Sequence, residues 1–185
     1  MRVVVVSDTH GSVEFWMRLE RFLENADAIW HLGDVLYHGP RNPLPLGYEP
    51  AKLAERLKRF SIDYVRGNCD ADVDVMVLGL PEMSRVVEES VGNFKIVMIH
   101  GDDLSEEDEE EFTISHKAHI LLRGHTHIPR LERKGRIWVV NPGSLSLPKG
   151  GSENSFAEMV FDESEVVVRI LNLEGRVIME EVLGI

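Results

Sequence analysis

Five short apolar runs set the hydrophobic rhythm of the chain, and each is followed at once by a loop of oxygen or imidazole donors. Val3 to Val6 leads to Asp8-Thr9-His10, and Ala28 to Leu32 leads to Gly33-Asp34. Ile62 to Val65 leads to Gly67-Asn68, Phe94 to Ile99 to His100, and Ile120 to Leu122 to Gly124-His125-Thr126-His127. The β-branched run Arg2 to Val6 has no alternation, the pattern of a strand covered on both faces. Ser12 is a plausible N-cap for a helix carrying Val13, Trp16, Leu19 and Leu23 at helical spacing, with Glu14 in its first turn. The opening is therefore a βαβ unit. Tyr37 to Tyr48 is rich in proline and glycine and reads as a loop. Glu49 to Phe60 returns to helical spacing, with Leu53 and Leu57 on one face.

Beyond Asp70 the pattern changes to strands in succession. Arg85 to Val91, Phe94 to Ile99, Ile120 to Leu122, Arg136 to Val140, Phe156 to Phe161, Glu165 to Leu171 and Arg176 to Val182 are strand candidates. They imply a second, largely antiparallel sheet. Two sheets face to face, each with helices on its outer side, fit this order of elements. The acidic run Ser105 to Glu111 reads as a solvated turn entering a short helix, capped by Ser105 and favoured by the helix dipole. On that reading, replacing Glu109, Glu110 and Glu111 with Gln barely changes the rate.

Composition narrows the class. At 185 residues, with 43% hydrophobic and 28% charged positions, the chain is expected to form a single domain, residues 1–185, of an ordinary globular type. No apolar run approaches the roughly 18 residues of a membrane span. No basic leader precedes the first strand, and Cys69 is the only cysteine. No membrane association and a cytoplasmic location are therefore expected. The net charge of -12 argues against binding a nucleic-acid polymer. It leaves room for a phosphate substrate, because two divalent cations would outweigh the Asp8 and Asp34 carboxylates and make the site locally positive.

In open α/β sheets, ligands and reacting groups gather at strand ends. Here those ends offer two Asp, one Asn and four His, donors that suit a pair of divalent first-row metals sharing one carboxylate. Each pair of residues alone is a weak signal and reads more readily as a hydrogen-bonded loop. The order of all five is what points to a metal pair.

The order Asp8-x-His10, Gly33-Asp34, Gly67-Asn68, His100, Gly124-His125-x-His127 resembles the calcineurin-like metallophosphoesterase superfamily. More closely, Leu32 to Leu57 (LGDVLYHGPRNPLPLGYEPAKLAERL), RGNCD at Arg66 to Asp70 and NPGSLSLPKGG at Asn141 to Gly151 resemble the bacterial YfcE-type phosphodiesterases. The resemblance implies an α/β fold, a four-layer α/β/β/α sandwich of two mixed sheets. It also implies a metal-dependent phosphodiesterase acting on a small or nucleotide-like diester. Asp8, His10, Asp34 and His127 would hold one ion, and Asp34, Asn68, His100 and His125 the other. Manganese is the expected metal, with iron, zinc, nickel and cobalt also compatible with these donors. Asp34 would bridge ions roughly 3.5 to 4 Å apart, with a hydroxide between them as nucleophile. A homo-oligomer is a reasonable expectation from the same resemblance.

Two positions depart from the superfamily. Cys69 follows Gly67-Asn68 where a histidine is common, so the proton donor to the leaving group is open. Asp102 stands where a second histidine often follows the one at 100. Asn68 and Cys69 are candidates for contacting substrate. His38, four residues after Asp34, is a candidate for the same contact and for catalysis, or else a loop residue. His31 and His119 read as packing or hydrogen-bonded residues, and His116 has no assigned role. Asn141, Ser144 and Lys149 either contact phosphate or form a turn. Phosphomonoesterase or protein phosphatase activity is the alternative chemistry. A noncatalytic protein-interaction scaffold of the same fold, like the small subunit of retromer, is the alternative class.

Overall fold

The computed structural model describes residues 1–184. The N-terminal valine run forms β1 (Arg2–Val6). It pairs in parallel with β2 (Ala28–His31), Val4 opposite Ile29, through the helix α1 (Val13–Leu23). Ser12 caps that helix, its side chain accepting from Phe15 N at 3.3 Å. The helix α2 (Pro50–Leu57) then leads to β3 (Asp63–Tyr64), parallel to β2.

The second sheet is built from β4 (Val86–Val91), β5 (Phe94–Ile99), β6 (Ile120–Leu122), β7 (Arg130–Lys134) and β8 (Ile137–Asn141), in the order β4-β5-β6-β8-β7. Its centre, β5-β6-β8, is parallel, and only the edge strands are antiparallel. The expectation of a largely antiparallel second sheet is corrected here, because the last three strands do not join it. β9 (Ser155–Phe161), β10 (Glu165–Asn172) and β11 (Val177–Gly184) extend the first sheet antiparallel to β1, giving the order β11-β10-β9-β1-β2-β3. Local spacing specifies a strand but not its partner, which is set by contacts distant in sequence.

Alternation along each strand divides the core into layers. Val3, Val5, Trp30 and Leu32 of the first sheet meet Ile96, Met98, Ile120 and Leu122 of the second between the sheets. Val4, Val6 and Ile29 face the other way, against Trp16, Leu19, Leu53 and Leu57 of α1 and α2. On the far side Val97, Leu121 and Val139 pack with Phe112 of α4 (Glu109–Ser115). The result is the four-layer α/β/β/α arrangement of two mixed sheets.

Two elements escape the sequence pattern. The helix α3 (Asp72–Leu78) carries Val73, Val75 and Val77 at alternate positions, a strand-like period, and Val73 and Met76 remain exposed. Local terms hold it: Asp74 accepts from Ala71 N at 2.8 Å, and Gly79 ends it in the left-handed region at φ 74°. The strand β7 is almost wholly charged and lies at a sheet edge, where polar side chains are tolerated.

The acidic run also needs correction. Asp108, not Ser105, is the N-cap residue of α4. Glu106, Glu107 and Glu111 are exposed as expected, but Glu109 is fully buried. It accepts from Arg123 at 2.6 Å, Arg130 at 2.8 Å and Lys134 at 3.1 Å. A helix turns its side chains about 100° per residue, so adjacent carboxylates in one run need not share an environment.

Candidate metal centre

The C-terminal ends of β1 and β2 are knitted loop to loop, Asp8 N donating to Gly33 O at 3.1 Å and His10 N to Asp34 O at 3.0 Å. Asp8, His10, Asp34, His125 and His127 all have positive φ, between 44° and 65°. Among the other described non-glycine residues only Asn25 and Lys117 do. Such conformations cost about 1 kcal/mol or more each and concentrate at functional sites. Two glycines let the loops close in. A Cβ on Gly67 would collide with the Asp34 carboxylate, and one on Gly124 with Ser7 Oγ.

Main-chain carbonyls set the imidazole tautomers. The Nδ1–H groups donate from His10 to Tyr37 O (2.7 Å), from His100 to Leu32 O (2.7 Å) and from His127 to Leu147 O (2.6 Å). Each ring therefore turns an Nε2 lone pair inward, as metal-binding histidines do when a carbonyl holds the other ring nitrogen. The Nε2 atoms of His10 and His127 face each other at 3.3 Å, and His100 Nε2 faces His125 Nδ1 at 3.3 Å. The His10 and His127 lone pairs repel unless a proton or a cation lies between them. His127 Nε2 is 3.2 Å and His10 Nε2 3.6 Å from Asp8 Oδ1, while His100 Nε2 is 3.3 Å from Asp34 Oδ2. With neutral rings, Asp8 Oδ1 is buried with no hydrogen-bond donor, which costs a carboxylate several kcal/mol unless a cation meets it. These residues fit divalent cations, and three donor groups converge tightly enough to hold them: Asp8-His10-His127, Asp8-Asp34-His100 and His10-Asp34-Cys69.

Without metal, protons fill the role. Burial opposes charge on His100, but the Asp34 hydrogen bond and Asp8 outweigh it and carry the ring up to about 9. Burial likewise opposes the raised His10, which Asp8 holds up. Burial opposes ionisation of Asp8 and Asp34, yet their imidazole partners hold both below the usual carboxylate range. His125, half-buried beside a charged His100, is pushed down.

Seven candidate ligands are thus brought to one place, with Asn68 at its exposed rim. Asn68 Nδ2 donates to Cys69 Sγ at 3.3 Å, leaving the amide oxygen uncommitted. Cys69 N donates to Asp34 Oδ1 at 2.8 Å, and burial followed by the Asp34 charge pushes its thiol up to about 12. A cavity of about 740 Å³ opens over Asp34, Asn68, Cys69, His125 and His127, walled by Tyr37, Arg41 and Lys149. His38 is not in that wall. Its ring lies edge-on between Tyr37 and Tyr48, with Nδ1 3.4 Å from the Tyr48 hydroxyl.

Of the remaining histidines, His31 is fully buried, accepting from Gly33 N at Nδ1 and meeting Thr9 Oγ1 at 3.0 Å through Nε2. Asn141 Nδ2 donates to Gly124 O and Ser144 Oγ to Asp8 O, so both brace the loops. The sequence reading missed Asp70 as a support. Its carboxylate accepts from Asp34 N, Val35 N and Gly67 N at 2.7–2.8 Å, tying two ligand loops together. The available signal was its place three residues after Gly67, where an Asp side chain can reach back to a turn amide.

The sequence profile of the calcineurin-like phosphoesterase superfamily domain matches residues 1–164. Phosphodiesterase YfcE of Escherichia coli K12 is 38% identical over 171 residues, covering 90% of this chain and 91% of that protein. The probable metallophosphoesterase YsnB of Bacillus subtilis is 25% identical over 182 residues, 95% of this chain and 93% of that one. The structure of E. coli YfcE, a phosphoesterase, superposes with a TM-score of 0.84 at 34% identity, covering 98% of both chains. Vacuolar protein sorting 29 of Cryptosporidium parvum shares the fold, with a TM-score of 0.74 at 20% identity, 100% of this chain and 98% of that one.

Proposed function

The chain belongs to the calcineurin-like phosphoesterase superfamily and is a metal-dependent phosphoesterase, and from that premise we propose that it hydrolyses small phosphodiesters at a dinuclear centre. The observation that carries the reading is the pair of facing imidazole contacts, His10–His127 and His100–His125, each beside its own carboxylate. Asp8, His10 and His127 would hold one ion, Asn68, His100 and His125 the other, and Asp34 both. Bound divalent ions would supply an acidified water as nucleophile and Lewis-acid stabilisation of the phosphoryl oxygens.

The protein's own groups do the rest. The carbonyls of Tyr37, Leu32 and Leu147 accept from the Nδ1–H groups and so aim the Nε2 atoms of His10, His100 and His127 into the site. Asn68 and Cys69 line the cavity where the ester oxygen would leave, and a thiol pushed up to about 12 is a weak proton donor at neutral pH. Esters whose leaving groups depart without strong protonation are therefore the favoured substrates. His38 lies edge-on against Tyr37, which lines the cavity. The diester preference draws on the E. coli relative's name and on a cavity larger than a terminal phosphate needs.

The test is turnover of bis(p-nitrophenyl) phosphate and p-nitrophenyl phosphate with manganese, alongside metal analysis of Asp34→Ala. We expect the diester to be the better substrate, chelation to abolish the reaction, and Asp34→Ala to lower both occupancy and rate by at least a hundredfold in rate. An Asp34→Ala protein with two ions and near-normal turnover rules out the shared carboxylate. Faster monoester turnover overturns the diester preference.

A further inference from the structure

Two cations overlook the cavity without a carboxylate partner. Arg41 and Lys149 both line it, and neither forms an ion pair among the described residues. They come from different loops, Arg41 between β2 and α2, Lys149 between β8 and β9. In a chain of net charge -12, unpaired cations beside a site that two divalent ions would make positive suit a ligand with more than one negative group.

Both loops are anchored directly to candidate metal ligands, which fixes where the cations sit relative to the reacting phosphate. Tyr37 O accepts from His10 Nδ1, and Asn42 Nδ2 donates to His38 O at 2.9 Å, so the main chain is held on both sides of Arg41. Lys149 N donates to His127 O at 3.1 Å, while His127 Nδ1 donates to Leu147 O two residues earlier. Lys149 O in turn accepts from Ser152 Oγ at 2.7 Å. Lys149 is thus tied to His127 directly, and Arg41 sits in a turn whose Tyr37 carbonyl is tied to His10. Tyr37, 42% exposed, adds an aromatic face to the same wall.

We propose that Arg41 and Lys149 form a second anion subsite, and that the preferred substrate is a phosphodiester carrying a further phosphate on the arm that stays in the cavity. The inference rests on the phosphodiesterase reading of the same centre and adds the substrate's second charge to it. The volume of about 740 Å³ lies within the roughly 300–1,000 Å³ that holds a ligand of nucleotide size, so both groups fit at once. Charge-assisted contacts to phosphate at an exposed subsite weaken with salt, which gives the subsite a signature distinct from packing.

The test compares thymidine 5′-(p-nitrophenyl phosphate) with its 3′-phosphorylated counterpart, which share leaving group and nucleoside and differ only in the distal phosphate. With the manganese-loaded protein we expect kcat/KM about tenfold higher for the 3′-phosphorylated ester, the gain residing in KM and shrinking from 50 to 500 mM salt. Arg41→Gln and Lys149→Gln should each reduce that ratio at least threefold, and the double variant should bring it near one. Lys95→Gln, an equal charge change on the exposed face of β5, should keep the wild-type ratio. A double variant with an unchanged ratio overturns the subsite, including the case where both esters suffer equally because the cations serve the reacting phosphate. If neither ester turns over while two ions are bound, the phosphodiesterase reading fails separately. Calorimetry then decides the subsite: thymidine 3′,5′-bisphosphate should bind the wild type about tenfold more tightly than thymidine 5′-monophosphate, and the double variant equally. Equal affinity in the wild type overturns the proposal.

Discussion

His100 and His31 lie near the same carboxylates, yet their protonation runs in opposite directions. Burial dominates at His31, which is pushed down from 6.5 to about 3 and stays neutral, while His100 gains Asp34 and Asp8 against its own burial and is carried up to about 9. The signs give opposite limbs in the metal-free protein. His100 binds a proton more tightly folded than unfolded, so its contribution is complete below pH 6.5 and is lost as pH rises through 9. His31 binds a proton less tightly folded than unfolded, so destabilisation grows as pH falls from 6.5 towards 3. Thermal midpoints of chelator-treated protein should therefore peak near pH 6.5, and His100→Gln should flatten the alkaline limb. A His100→Gln midpoint that falls as steeply as wild type between pH 6.5 and 9 contradicts the assignment. Asp70 supplies a second prediction at this scale. Asp70→Ala leaves three buried amides without acceptors, each at about 1–3 kcal/mol. It should lower metal affinity at Asp34 at least tenfold in a titration with manganese, although Asp70 is assigned to neither ion. Unchanged affinity in a folded variant would remove Asp70 from the support of the site.

At the scale of elements, α4 shows how one helix can be solvated and buried at once. Glu111 faces water, whereas Glu109 is enclosed by Arg123, Arg130 and Lys134 and thereby joins α4 to β6 and β7. Arg123 also donates to Gly101 O at 2.7 Å, one residue after His100, and stands two before His125. Removing one member of a buried ion cluster typically costs 3–5 kcal/mol, because its partners are left uncompensated. Glu109→Gln should thus destabilise the protein by about 3 kcal/mol in urea unfolding, while Glu111→Gln should stay within about 0.5 kcal/mol. Equal effects would return α4 to a uniformly solvated surface. The distinction was not legible in SEEDEEE, since composition reports charge and not the direction each side chain takes. The helix α3 hid for the converse reason: its valines alternate like a strand, and only the Asp74 and Gly79 caps mark it as helical.

Across the whole molecule, the candidate metal ligands lie along a seam between the two sheets. Asp8, His10 and Asp34 follow strands of the six-stranded sheet, and His100, His125 and His127 follow strands of the five-stranded one. Ions at this seam bind only when both sheets are in place, so occupancy is linked to folding. Manganese at a hundred times its dissociation constant should add about 2.7 kcal/mol per site and raise the midpoint of a single calorimetric transition. Two separate transitions, with only one sensitive to metal, would sink the idea that the sheets unfold as one unit. The sequence by itself determined the strand cores and the donors at their ends, because burial on both faces writes a continuous apolar run and metal ligation demands particular side-chain atoms. Neither depends on distant partners. Only the tertiary structure decided that β9, β10 and β11 return to the first sheet, that carbonyls of Leu32, Tyr37 and Leu147 orient the imidazoles, and that Glu109 is buried while Glu111 is not. Those outcomes depend on contacts between residues far apart along the chain, and no local pattern of hydrophobic and polar positions encodes which pairs will meet.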